Sequence, residues 1–145
     1  DMVAGQVYDT LGGLPATLPP VEQVKLVHRN KTGALIRAAC RMGGHCAGAD
    51  LDTIHALTTY GEAMGLMFQI VDDLIDVTQS TDHVGKATGK DADSGKRTYP
   101  GVLGIEACQQ EVERLRVEAV QALQPLKGAT EPLAALAEVM AIRTN

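Results

Sequence analysis

The run Phe68-Gln69-Ile70-Val71-Asp72-Asp73-Leu74-Ile75-Asp76 sets three carboxylates into an otherwise apolar segment. No other feature constrains the fold as much. The apolar side chains demand burial, and charges that follow them lose hydration and repel one another. On a helix Asp72 and Asp76 share a face one turn apart, with Asp73 about 100° round the axis from Asp72. A cation offsets such clustered charge. The donors are all oxygen, which suits a hard ion such as Mg²⁺ better than Zn²⁺, and Mg²⁺ held by few carboxylates keeps positions for water or phosphate oxygens. The plainer alternative is a solvated acidic turn, with Asp73 and Asp76 facing water while Phe68, Ile70, Val71, Leu74 and Ile75 pack.

The next segment weighs against that alternative. Between Gly85 and Pro100 stand Gly85, Gly89 and Gly95, the lysines Lys86, Lys90 and Lys96, and Arg97. An irregular cationic loop thus follows an anionic helix. Carboxylate-bound Mg²⁺ together with mobile ammonium groups is a way to hold a diphosphate.

Aromatic residues make up only 3% of a chain that is 45% apolar, so Leu, Ala, Val, Ile and Met must fill the core. That bias favours helices over sheet and predicts an all-α fold in one domain, residues 1–145. A net charge of −5 argues against a nucleic-acid partner. Cys40, Cys46 and Cys108 form no C-x-x-C pair, which points to free thiols in a reducing cytoplasm. His28, His55 and His83 read as ordinary surface or loop residues, and His45-Cys46 as packing. No stretch reaches the ~18–20 apolar residues of a transmembrane segment. Asp1 ahead of Met2, with a polar motif following at once, reads as a chain whose upstream portion is missing.

Periodicity and punctuation divide the chain. A helix ends near residue 11 at Gly12-Gly13, and Leu14 to Pro20 is a linker. A long helix is expected from Val21 to Cys46, with Lys31-Thr32-Gly33 in its middle. Asp50 or Asp52 caps the next, from Leu51 to Val77, in which Gly61 and Gly65 suggest close helix contact. Gln79 to Arg97 is a polar loop. One helix is expected from Pro100 to Leu123, and a last from Glu131 to Arg143. Gln6 and Asp9 form an i,i+3 polar pair on the first helix.

Taken together, these segments resemble the C-terminal half of a trans-isoprenyl diphosphate synthase, the polyprenyl synthetase family, of the bacterial short-chain farnesyl/geranylgeranyl type. The resemblance rests on ordered motifs: Met2-Val3-Ala4-Gly5-Gln6 with Asp9; Lys31-Thr32-Gly33-Ala34-Leu35; Phe68-Gln69 with Asp72, Asp73 and Asp76; Gly85-Lys86; Gly89 with Asp91; and Gly95-Lys96 with Thr98-Tyr99-Pro100. It implies an all-α isoprenoid synthase bundle round a deep cavity, a homodimer when complete. It implies Asp72 as a direct Mg²⁺ ligand, with Asp73 and Asp76 acting partly through water. Lys31, Lys86 and Lys96 would contact diphosphate oxygens. Lys31 (through its carbonyl), Thr32 and Gln69 would stabilise an allylic cation, and Gln6 and Asp9 would support the site.

The reaction so implied is Mg²⁺-dependent head-to-tail condensation of isopentenyl diphosphate with an allylic diphosphate. A first aspartate-rich motif and its arginines belong to the N-terminal half of the family and are absent here, so the 145 residues are expected to be inactive alone. Two further readings differ in class. A non-catalytic regulatory subunit of a synthase would ordinarily lose the aspartates that this chain keeps. A class I terpene cyclase would carry an Asn/Ser/Glu metal motif where this chain has none.

Overall fold

Proline and glycine mark nearly every helix boundary in the structure, a computed structural model that describes residues 2–82 and 97–143. Helix α1 (Met2–Leu11) stops at Gly12 and Gly13, whose φ angles of 75° and 84° only glycine adopts without strain. Helix α2 (Pro20–His28) starts with proline in its first turn, where a missing N–H costs nothing. It runs without a break in direction into a π turn (Arg29–Gly33) and then α3 (Ala34–Cys46). Helix α4 (Leu51–Asp82) is capped by Asp50, whose carboxylate accepts from the Thr53 amide at 2.8 Å.

Beyond residue 96 come α5 (Tyr99–Leu103), α6 (Ile105–Leu123) and α7 (Glu131–Ile142). Among the described residues there is no strand, and no helix is long and apolar enough to cross a membrane. The all-α expectation holds.

Three expectations change in detail. The helix expected from Val21 to Cys46 is interrupted by the π turn. The helix expected from Pro100 to Leu123 is broken at Gly104, which has φ 84° and ψ 160°. Thr98 caps the short α5, its hydroxyl accepting from the Gly101 amide. Helix α4 outruns its expected end at Val77 by more than a turn, because nothing in Thr78 to Asp82 breaks a helix.

Helix α4 is the axis of the bundle. From Tyr60 to Met67 nearly every residue is buried, whereas its start at Leu51 and Asp52 is exposed. A helix buried all round must have neighbours on every side. Helices α3 and α6 flank it, and α7 closes against α6 and α4. The α6 stripe Cys108, Val112, Leu115, Ala119 and Leu123 steps by three and four residues and faces α4. Tyr60 carries its hydroxyl into this core and donates to the Leu133 carbonyl at 2.9 Å, and burial pushes its pKa up to about 12.

Small residues set the spacing on the other flank. A Cβ on Gly65 would stand 2.5 Å from Gly33 Cα, and one on Gly61 would stand 2.8 Å from Arg37 Cα. The close helix contact expected of Gly61 and Gly65 is therefore with the π turn and α3. On the far side of the π turn, a Cβ on Gly5 would stand 2.2 Å from the Lys31 amide nitrogen. The turn is thus held between glycines of α1 and α4.

Candidate active site

Gly61, Gly65, Gln69, Asp72 and Asp76 advance along α4 by four, four, three and four residues, which keeps them on one face. Gly65 abuts Gly33, so that face is presented to the segment carrying Lys31 and Thr32. Gln69 lies one turn beyond the contact and Asp72 nearly two. Two separate stretches of sequence that carry singled-out residues are thereby packed against each other.

The π turn matters chemically as well as sterically. Inserting a residue interrupts the regular i→i+4 ladder, and such bulges recur at functional sites. Here it falls on Arg29–Gly33, the stretch that includes Lys31 and Thr32. The Lys31 ammonium meets Asp9 Oδ2 at 2.6 Å, an ion pair in which the carboxylate is 11% exposed. Gly5, one turn before Asp9 on α1, is what allows the backbones to approach closely enough for that pair. Gln6 is exposed, and its carbonyl accepts from the Thr10 hydroxyl.

The three aspartates have different surroundings. Asp76 is exposed and Asp72 is partly buried. Burial raises the Asp72 pKa, the nearby Arg143 charge opposes that, and the like charge of Asp76 adds to it. A carboxylate made costly in this way is one that a cation would relieve. The Arg143 guanidinium also lies over the Phe68 ring, 5.9 Å from its centroid.

Asp73 faces another way. Its Oδ2 accepts from the Tyr99 amide at 2.9 Å and lies 3.6 Å from His28 Nε2. His28 is not the surface residue expected from sequence, for it is only 5% exposed. Its ring packs on Tyr99 with centroids 5.4 Å apart. The available signal was its position four residues after the buried Val24 on the apolar face of α2.

Among the described residues no three His, Cys, Asp or Glu side chains form a ready metal cage. An all-protein cage is not what Mg²⁺ needs, since it is held by one or two carboxylates with water and substrate phosphates filling its octahedron. Asp72 and Asp76 on one face supply that kind of partial site. A cavity of about 460 Å³ adjoins the seam between the end of α1 and α2, with Asp9, Gln23, His28 and Arg97 in its wall. Lys86 and Lys96, expected to contact diphosphate, lie outside the described residues, as do Gly85, Gly89, Asp91 and Gly95.

Known proteins share this fold. The family model described as polyprenyl synthetase matches residues 1–132. Geranylgeranyl pyrophosphate synthase 12, chloroplastic, of Arabidopsis thaliana is 41% identical over 146 residues, which cover 99% of this chain and 41% of the relative. The crystal structure of geranylgeranyl pyrophosphate synthase from Corynebacterium glutamicum complexed with calcium and isoprenyl diphosphate superposes with a TM-score of 0.83 at 30% identity, covering 99% of this chain and 56% of that one. The geranyltransferase of Helicobacter pylori complexed with magnesium and isoprenyl diphosphate gives a TM-score of 0.69 at 34% identity, covering 99% and 46%. The chain therefore spans about two fifths of the length of the curated relative and about half of the similar structures.

Proposed function

The chain belongs to the polyprenyl synthetase family, and on that premise we propose that the whole protein is a Mg²⁺-dependent prenyltransferase, condensing isopentenyl diphosphate head-to-tail with an allylic diphosphate. The observation that supports the reading is the Gly33–Gly65 contact, which packs the turn that includes Lys31 and Thr32 against the α4 face that carries Gln69, Asp72 and Asp76.

Asp72 and Asp76 are the residues that would hold the cation. The bound Mg²⁺ supplies Lewis-acid stabilisation of the negative charge that builds on the departing diphosphate. The Lys31 ammonium shares that task. Its ion pair with Asp9 keeps it aimed until diphosphate oxygens take over. Lys86 and Lys96 add further cationic contacts from the loop. Loss of diphosphate leaves an allylic cation, which needs dipoles that do not attack it. The Thr32 hydroxyl, the Gln69 amide and the Lys31 backbone carbonyl are such groups, weak as nucleophiles and oriented by the π turn and α4. The π bond of isopentenyl diphosphate then attacks, and a proton is lost from the adduct. Excluding water from the cleft protects the cation from capture. The protein works as a homodimer. Gln6 and Asp9 line the α1 side of the site.

The test is Mg²⁺-dependent transfer of labelled isopentenyl diphosphate to dimethylallyl, geranyl and farnesyl diphosphates. The chain is assayed with the remainder of the family fold joined to it or added in trans. Asp72→Ala is expected to lower kcat by at least 100-fold, because it removes a charge used in the transition state. Near-normal turnover in a folded Asp72→Ala protein would overturn the metal assignment.

A further inference from the structure

Resting on that reading of the aspartate face, we propose that His28 is a positioning residue. Together with the Tyr99 amide it commits Asp73 to the fold, so that Asp72 and Asp76 are the pair left to a cation.

The argument begins with the cost of the carboxylate. The Asp73 side chain is 15% exposed, and a charge so placed needs donors. Among the described residues the Tyr99 amide donates to it, and the His28 imidazole stands within ion-pair range. The Tyr99 N–H belongs to the first turn of α5, where backbone donors have no helical partner of their own. The His28 Nε2 approaches the same Oδ2 from α2 at 3.6 Å. The imidazole cannot easily turn away, because it is buried and lies against the Tyr99 ring. Tyr99 is itself 1% exposed.

A second link reinforces the junction. Arg97 Nη1 donates to Gln23 Oε1 at 2.5 Å, and Gln23 Nε2 donates to the Leu18 carbonyl at 2.8 Å. Helices α2, α4 and α5 therefore meet at Asp73, and Arg97 ties the approach to α5 to α2 and, through Gln23, to the turn before it. Two adjacent aspartates on α4 then have separate work. The one on the seam face is offered to ligand, and its neighbour, about 100° round the helix, joins three helices. Rotation of α4 about its axis is opposed by the Asp73 tie on one side and by the Gly33–Gly65 contact on the other.

The experiment uses the intact chain and needs no ligand for its first arm. Hydrogen exchange of the Tyr99 amide is followed by NMR, with the Met67 and Ile70 amides in α4 as monitors of global opening. Asp73→Ala is expected to cut Tyr99 protection at least tenfold, while Asp73→Asn, which keeps an acceptor oxygen, stays within about threefold of wild type. His28→Leu is expected to lower Tyr99 protection several-fold, and His28→Gln, with a nitrogen donor near the Nε2 position, to restore it. The rescue pair keeps the test meaningful where Ala or Leu also loosens the core.

In the second arm, calorimetry measures Mg²⁺ binding with inorganic diphosphate as the probe. Asp73→Asn is expected to stay within about threefold of wild type, while Asp72→Asn loses at least tenfold. Unchanged Tyr99 exchange in Asp73→Ala and His28→Leu would overturn the proposal. So would Asp73→Asn losing Mg²⁺ as Asp72→Asn does. Mg²⁺ binding that ignores Asp72→Asn would instead sink the metal reading and with it the assignment of the outward pair, leaving the tie itself to be judged by Tyr99 exchange.

Discussion

Replacing Gly65 by alanine tests the central contact of the site, because two physical effects predict opposite signs. Helix propensity alone makes Gly→Ala in a helix interior stabilising by about 1 kcal/mol. The structure says otherwise. The new Cβ would lie 2.5 Å from Gly33 Cα and 3.4 Å from the Gly33 carbonyl carbon and oxygen. Carbon atoms rest about 3.5–4.0 Å apart, so α4 and the π turn must separate by roughly 1 Å. The obstacle is backbone, which cannot rotate aside. Overpacking of this kind costs about 1–3 kcal/mol, and the immovable neighbour argues for the upper end. After propensity is credited, the net loss is about 2 kcal/mol. For a chain of this length that lowers Tm by about 4–8 °C. Urea unfolding followed by circular dichroism reads it directly, as a lower midpoint at unchanged slope. Gly43 supplies the control. It is helical too, but a Cβ there meets nothing within 4 Å, so Gly43→Ala should stabilise by about 0.5–1 kcal/mol. A Gly65→Ala chain as stable as wild type would mean that α4 and the π turn do not touch. The seam between Lys31-Thr32 and Gln69-Asp72 would then lose its foundation.

Gly104→Ala should cost about 1–3 kcal/mol from backbone strain alone, since nothing crowds its Cβ at φ 84° and ψ 160°. Gly104→Asn should rescue little, because this region is closed to asparagine as well; full rescue in urea unfolding would refute the strain account. Tyr60→Phe should lose about 1 kcal/mol with the bond to the Leu133 carbonyl, and equal urea midpoints would show that bond to be without net value. The pH dependence of Mg²⁺ stabilisation follows from Asp72. Burial raises its folded pKa, so this group's contribution to stability is fullest below the ordinary carboxylate value and is lost as pH rises through the raised one. On the proposed metal site, Mg²⁺ would bind the ionised form and recover that loss. Mg²⁺ should therefore raise Tm at pH 7 and have little effect near pH 3, and equal effects at both would contradict the assignment.

Much of the candidate site was legible because the spacing that defines it is local. Asp72 and Asp76 share a face by helical spacing alone, and Gly61 and Gly65 announced a close approach on that face before any partner was known. The π turn was not legible. Lys31-Thr32-Gly33 reads as ordinary helix, and the bulge exists only where Gly5 and Gly65 press from either side. The break at Gly104 was hidden for a related reason, since one glycine in a periodic apolar pattern fits a continuous helix as well as a bend.

What the sequence determined by itself was the helical class, most helix starts and stops, and which residues could gather charge on one helix face. These are properties of contiguous residues, set by propensity, capping and a period of 3.6. Only the tertiary structure decided where the charges go. It turned Asp73 toward the Tyr99 amide 26 residues away, paired Lys31 with Asp9 across 22, and joined Arg97 to Gln23 across 74. It also buried His28, which sequence had left at the surface. No local rule reaches that far, because the energy of a buried charge depends on which distant donors the packed helices bring to it.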